Sequence, residues 1–268
     1  SKKVCTFAAE NKIHIVMINT NFLQRNFPKG KLSVVHGRPA VGKTSMAVSL
    51  AQALARDGHH PIYFSMEMSK EMLAKRFAAQ MGAEVPTDVW ANILINDTPS
   101  VKISDIRDAI DGLSVDFIII DYLQLMTCEG CSSRTEEQVH IKNELKVLAS
   151  ELDIPVVVLS QLSRSQVEAF NELTEYPDHE DDFEQEGDKD AYTIDEDGNV
   201  TITDSVDEIR NCLFRKRTDI KSVYIPDHIE AVGILAFDEC PNLQIIRVNN
   251  LGLLKASGLG ENVIVITE

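Results

Sequence analysis

Gly37-Arg38-Pro39-Ala40-Val41-Gly42-Lys43-Thr44 is the stretch on which the reading of this chain turns. It follows an apolar run, Leu32 to Val35, and opens a helical pattern of apolar residues at Met46, Ala47, Leu50, Ala51 and Leu54. That order of strand, loop and helix is the context a phosphate-binding loop requires. Glycines let the backbone wrap tightly enough to aim several N–H groups at one point, and the new helix adds its positive end there. On this reading Gly37, Arg38, Pro39, Ala40, Val41, Gly42, Lys43, Thr44 and Ser45 bind a nucleotide. Lys43 reaches the β- and γ-phosphates and Thr44 offers its hydroxyl to Mg2+. The eight residues taken alone also describe a glycine-rich turn with an exposed lysine; the flanking strand and helix favour the phosphate.

From Lys31 onward, short apolar runs alternate with helical patterns in the rhythm of a parallel α/β sheet. The runs are Leu32 to Val35, Pro61 to Phe64, Ile93 to Ile95, Phe117 to Ile120 and Pro155 to Leu159. Their β-branched, continuous apolar character is that of strands covered on both faces. Helices are expected over Thr44 to Arg56, Lys70 to Met81, Ile103 to Leu113 and Glu136 to Leu152, with Ser69 and Ser104 as N-caps. Residues 1–27 are poorly patterned, and Ile13 to Ile18 reads equally as a strand or as the start of a helix.

Polar residues sit where the runs end. Glu67 follows Phe64-Ser65-Met66, Asp121 follows Phe117-Ile118-Ile119-Ile120, and Gln161 follows Leu159-Ser160. Ligands of open α/β sheets bind at the carboxyl ends of the strands, the edge from which the phosphate loop also leaves. Asp121 is placed to serve Mg2+, Glu67 to orient or deprotonate an attacking water, and Gln161 to hydrogen-bond a γ-phosphate as a neutral sensor. The same residues have plain structural readings as a strand-terminal turn, helix-start electrostatics and a strand-end polar cap.

Five ordered motifs carry a family resemblance: Gly37-Arg38-Pro39 with Gly42-Lys43-Thr44; Phe64-Ser65-Met66-Glu67-Met68; Asn96-Asp97-Thr98-Pro99-Ser100 with Ile103, Ile106 and Arg107; Ile119-Ile120-Asp121-Tyr122-Leu123-Gln124-Leu125-Met126; and Leu159-Ser160-Gln161-Leu162-Ser163-Arg164. In order and spacing the chain from about Phe27 to Glu168 resembles the ATPase domain of DnaB-type replicative helicases. The resemblance implies a RecA-like P-loop NTPase core, ATP and Mg2+ as cofactors, and a ring of subunits, a hexamer in the family, with ATP between neighbours. It also implies Glu67 as catalytic base, Asp121 on the metal, and single-stranded DNA as a partner.

The departures are equally specific. The family's entry motif before the first strand, Thr-Gly-Phe with Leu-Asp following, is absent. Where the family continues into a basic, DNA-contacting segment and a trans-acting arginine finger, this chain has Tyr176-Pro177 and the cluster His179-Glu180-Asp181-Asp182-Phe183-Glu184-Gln185-Glu186. Acidic charge there weakens DNA binding, because phosphate neutralisation supplies most non-specific affinity. The loop after Asp121, Thr127 to Glu136, which the family turns toward DNA, offers only Arg134. Arg215-Lys216-Arg217 is the one downstream basic cluster, to be read as the finger or as a solvated face.

The net charge of −16 is confined to one region. Residues 1–165 carry 18 basic and 18 acidic side chains, and residues 209–268 carry seven of each, whereas residues 166–208 carry 17 acidic and one basic, Lys189. A block of that kind repels itself and stays solvated, so residues 166–199 are expected to be an acidic linker or loop between a RecA-like domain at 1–165 and a second module at 200–268.

That second module repeats. At an offset of 23, Phe214 aligns with Phe237, Ile220 with Leu243, Val223 with Ile246 and Ile225 with Val248. The segment from Ile225-Pro226-Asp227 through Ile229, Val232-Gly233, Ala236-Phe237, Cys240 and Asn242-Leu243 resembles BspA-type leucine-rich repeats, with an earlier partial copy at Ile202-Thr203-Asp204. A small leucine-rich-repeat-like module is the expectation, its Phe and Leu residues being core; the alternative to a DNA motor is an ATP-binding switch or assembly protein that has lost DNA unwinding and uses this module to bind a protein partner. The five cysteines fit reduced thiols, and Cys128-Glu129-Gly130-Cys131, a lone CxxC, reads as a loop before a zinc or redox site. No run approaches the roughly 20 apolar residues of a membrane span, and Asn11, Lys12 and His14 interrupt any apolar centre near the start, so a cytoplasmic location and no membrane partner are expected.

Overall fold

The computed structural model describes residues 23, 26–81, 92–170 and 190–268. Ile13 to Ile18 and the acidic cluster at 179–186 lie outside the described residues. The chain divides into two units, residues 1–35 with 42–161, and residues 36–41 with 162–268.

The first unit is built on strands β1 (Leu32–Gly37), β2 (Pro61–Ser65), β3 (Leu94–Asn96), β4 (Phe117–Asp121) and β5 (Val156–Gln161), in the order β3-β2-β4-β5-β1. The β2–β3, β2–β4 and β4–β5 pairs are parallel. All five apolar runs of the sequence are therefore strands. Helices α1 (Lys43–Arg56), α2 (Lys70–Met81), α3 (Ile103–Ile110) and α4 (Arg134–Leu152) connect them. Alternation along the strands divides the core between two faces. Ile62, Phe64, Ile118, Ile120, Val156 and Val158 pack with Ile106 of α3 and Leu145 and Leu148 of α4. Burial of each such side chain contributes about 1.5–3 kcal/mol.

Local chemistry sets the helix ends. Ser133 caps α4 by accepting from the Glu136 amide, and Glu136 and Glu137 bring negative charge to its first turn. Ser69 caps α2 through the Met72 amide at 3.4 Å. The cap of α3 is Lys102 rather than Ser104: the Asp105 carboxylate turns back to accept from the Lys102 amide at 2.8 Å, and the helix starts at Ile103.

The second unit contains β6 (Tyr192–Ile194), β7 (Asn199–Ile202), β9 (Ser222–Tyr224), β11 (Ile245–Arg247) and β12 (Ile264–Thr267), in the order β12-β11-β9-β7-β6. A second pair joins β8 (Glu208–Ile209) to β10 (Ala231–Val232). Except for the antiparallel β6–β7 hairpin, these pairs are parallel, and the 23-residue offset is the register of three of them: Val200 pairs with Val223, Val223 with Ile246, and Ile209 with Val232, whereas β11 pairs with β12 at an offset of 19, Ile246 with Val265. Each coil thus stacks on the next. Phe214 and Phe237 lie face to face, 5.6 Å apart and 3° from parallel. A Cβ on Gly233 would come within 2.3 Å of the Asn211 backbone nitrogen, so the coils approach there as only glycine permits.

The span expected to be linker is folded at both ends. Helix α5 (Arg164–Phe170) buries Phe170, with Val167 beside it, in the core of the second unit; Tyr192 of β6 packs there too. Apolar anchors override the acidic composition at those points.

Candidate functional site

The loop between β1 and α1 is shaped by two residues at positive φ, Ala40 at 63° and Gly42 at 102°. Gly42 caps α1 in the left-handed region, which glycine reaches without the Cβ penalty. Gly37 and Val41 are buried, Pro39 and Ala40 exposed, and Thr44 and Ser45 half-buried. Lys43, the first residue of α1, is only 8% exposed although it carries a charge. Arg38 does not stand free at the loop: its guanidinium pairs with Glu261 at 3.2 Å, and both belong to the second unit.

Asp121 ends β4, 4% exposed, one strand removed from β1 because β5 lies between. Its register partner is Ser65, and its carbonyl accepts from the Met66 amide at 3.0 Å, which ties the start of the Glu67 segment to the end of β4. Burial pushes the Asp121 carboxyl up. Hydrogen bonds from Thr44 and Tyr63 and the charge of Lys43 oppose that rise, and Glu67 adds to it. For Lys43, burial lowers the ammonium, while Asp121 and Glu67 hold it up. Tyr122 is raised by burial and by the same two carboxylates. Lys43, Thr44, Glu67 and Asp121 are therefore brought into one electrostatic neighbourhood. Glu67 is the solvent-facing member.

Gln161 ends β5 with its side chain exposed, and its backbone is held by Gln124. The Gln124 amide nitrogen donates to the Gln161 carbonyl at 3.2 Å and to Ser160 Oγ at 3.1 Å, while the Gln161 amide donates to Gln124 Oε1 at 3.3 Å. Gln124 and Tyr63 are the two residues of the site that reading the sequence did not single out. Tyr63 was hidden as an aromatic in an apolar run, where the sequence does not show whether its hydroxyl has a partner.

The chemistry of the donors suits a nucleotide with Mg2+. A hydroxyl and a buried carboxylate are hard oxygen donors of the kind Mg2+ takes when phosphates supply further oxygens. An open cleft of about 520 Å3 begins at Glu67 and is lined by Met68, Met72, Lys75 and Arg76. Lys43 and Asp121 are not in its walls, so it is a neighbouring surface and not the phosphate site.

The arginines that the sequence offered as DNA-facing or finger residues each have partners within their own unit, Arg134 while remaining about half exposed. Arg134 donates to the carbonyls of Gln124 and Met126 and pairs with Glu137. Arg215 pairs with Asp238 at 3.1 Å and Glu239 at 3.4 Å. Arg217 holds Asp219 through two nitrogens and the Tyr192 hydroxyl through a third. Cys128 and Cys131 flank a turn in which Gly130 has φ 84° and remain thiols, with Cys131 pushed up to about 11 by its hydrogen bond with Cys128. Among the described residues no group of three or more His, Cys, Asp or Glu side chains could hold a metal by itself, and no helix is long and apolar enough to cross a membrane.

A mostly parallel sheet, a helix entered through Gly42 and Lys43, and a buried strand-end carboxylate define the first unit as an α/β domain of the RecA-like class. Sequence comparison carries this further. The DnaB-like helicase C terminal domain profile matches residues 17–90 and 87–190, and the chain belongs to that family. It is 36% identical over 167 residues to the replicative DNA helicase DnaB of Geobacillus stearothermophilus, covering 52% of this chain and 37% of that one. It is 34% identical over 166 residues to the replicative DNA helicase DnaC of Bacillus subtilis (strain 168), again covering 52% and 37%. The chain thus spans well under half the length of these relatives. A solved DnaB-like replicative helicase, described together with its interactions with primase, aligns over 54% of this chain and 41% of that one at 28% identity, with a TM-score of 0.41, too low to bear on the fold.

Proposed function

We propose that this chain hydrolyses ATP with Mg2+ as the motor part of a DnaB-type replicative helicase, and that hydrolysis is coupled to movement along single-stranded DNA within a ring of six subunits. The observation that carries the reading is the gathering of Lys43, Thr44, Glu67 and Asp121 at one strand edge. In the reaction, residues 37–45 cradle the phosphates, with Lys43 on the β- and γ-phosphates. Thr44 and Asp121 hold Mg2+, which when bound neutralises charge on the phosphate oxygens. Glu67, exposed and beside the buried pair, takes the proton of the attacking water. Gln161, its backbone fixed by Gln124, senses the γ-phosphate. In domain terms, residues 1–165 form the ATPase domain and residues 200–268 a BspA-type leucine-rich-repeat module, for which the 23-residue stacking register is the support.

A second reading is favoured by the pairing of the candidate arginines within the chain. With Arg134, Arg215 and Arg217 all paired within their own units, few cations remain in these segments to neutralise DNA phosphates. On this reading the chain is an ATP-dependent switch whose repeat module binds a protein partner. ATPase rates measured with and without single-stranded DNA across a salt titration separate the two. The motor reading expects stimulation that fades as salt rises; absence of stimulation at the lowest salt would contradict it and leave the switch.

A further inference from the structure

Strand β2 reads Pro61-Ile62-Tyr63-Phe64-Ser65 and is buried throughout. Its parallel register on β4 sets Tyr63 opposite Ile119 and Ser65 opposite Asp121. Residues two apart on a strand share a face, so Tyr63 and Asp121 lie on the same side of the sheet, one step apart diagonally. A side chain leaning along its strand closes that step: the Tyr63 hydroxyl donates to Asp121 Oδ2 at 2.9 Å. The ring is 0% exposed and stands edge-on to Phe77, with centroids 6.4 Å apart. Packing on that side locks the ring, and a locked ring holds its hydroxyl in place.

We propose that Tyr63 is a positioning residue for Mg2+ binding, fixing the plane of the Asp121 carboxylate relative to Thr44 through a buried hydrogen bond to Oδ2. The inference rests on the reading of Thr44 and Asp121 as the Mg2+-holding pair and adds the residue that orients it. A carboxylate that must find its orientation on binding loses part of its affinity in being ordered, whereas one already held does not. Partners that orient a metal-holding group in this way are typically worth about 10–100-fold in metal affinity. A phenylalanine would fill the same space, so Tyr63→Phe removes the hydrogen bond and little else.

The test is equilibrium binding of a ribose-labelled fluorescent β,γ-imido-ATP to the unsubstituted chain and to Tyr63→Phe, in EDTA and then with increasing MgCl2, without any turnover. The expected result is equal affinity in EDTA and a Mg2+ requirement for tightening raised about tenfold or more in the variant. In an Asp121→Ala background, which removes the acceptor itself, Tyr63→Phe should add no further shift, because the pair acts as one unit. An unchanged Mg2+ requirement, equal weakening with and without Mg2+, or additive effects in the double variant would overturn the inference. So would loss of the variant's thermal transition, which would make the hydroxyl a structural prop. Failure of the unsubstituted chain to bind the nucleotide in either buffer would instead overturn the nucleotide reading beneath it.

Discussion

The two units treat their polar side chains in opposite ways. In the first, a lysine, a hydroxyl and a carboxylate are drawn toward one another at the ends of buried strands, with a second carboxylate left facing solvent beside them. Burial there pushes Asp121 up and Lys43 down, a cost that the phosphate and cation proposed for the site would relieve. In the second, charged groups are matched along the stack of coils. Arg215 meets Asp238, 23 residues ahead, and the largely buried Arg247 meets Glu268. Asn199 Oδ1 accepts from Ser222 Oγ at 2.7 Å in the same manner. Polar groups gathered at some cost in burial mark a place for chemistry, whereas polar groups matched from coil to coil mark a scaffold. The Arg215-Lys216-Arg217 cluster, which in the sequence could be an arginine finger, falls on the scaffold side.

Substitutions can break or sharpen that contrast. The largest effect is expected for Glu67→Gln, which should lower kcat by about 10²–10⁴-fold while leaving nucleotide affinity unchanged; a variant turning over at the unsubstituted rate would remove Glu67 from the reaction. Next in size is Phe237→Ala. Losing a ring stacked on Phe214 in the buried core should cost about 3–5 kcal/mol, read as a lower midpoint of chemical unfolding. A cost under about 1 kcal/mol would mean that the stacked coils do not hold the second unit together. Smallest are Arg215→Ala and Arg217→Ala. Partly exposed ion pairs contribute on the order of 1 kcal/mol or less, so turnover should stay within about twofold. A fall in rate of about 10³-fold or more in either would reassign that arginine as a trans-acting finger and erase the distinction between the units.

How much of this was legible in the sequence depends on what kind of interaction set each feature. Parallel strands covered on both faces must be continuous apolar runs, and all five of the first unit were visible as such. The residues that end those runs, Glu67, Asp121 and Gln161, followed from chain order alone. The offset of 23 was equally visible, because stacked coils place like residues on like residues. Direction was not visible. Nothing in the composition of 127–136 says that Arg134 turns back onto the carbonyls of Gln124 and Met126, since that depends on how the loop closes. Tyr63 could not be told from core because an aromatic in a buried strand has the same pattern whether or not its hydroxyl has a partner. Acidic composition over 166–199 concealed Val167, Phe170 and Tyr192, three apolar anchors that fold the ends of the segment.

The central claim, that the loop from Gly37 to Ser45 is a working phosphate site, is tested most directly by equilibrium binding of labelled ATP to the unsubstituted chain and to Lys43→Ala in Mg2+ buffer. Lys43 supplies the side-chain charge of that site, so the substituted chain should bind at least about a hundredfold more weakly, the loss of a charge-assisted contact together with the Asp121 and Glu67 charges left uncompensated. Equal binding by the two chains would contradict the account.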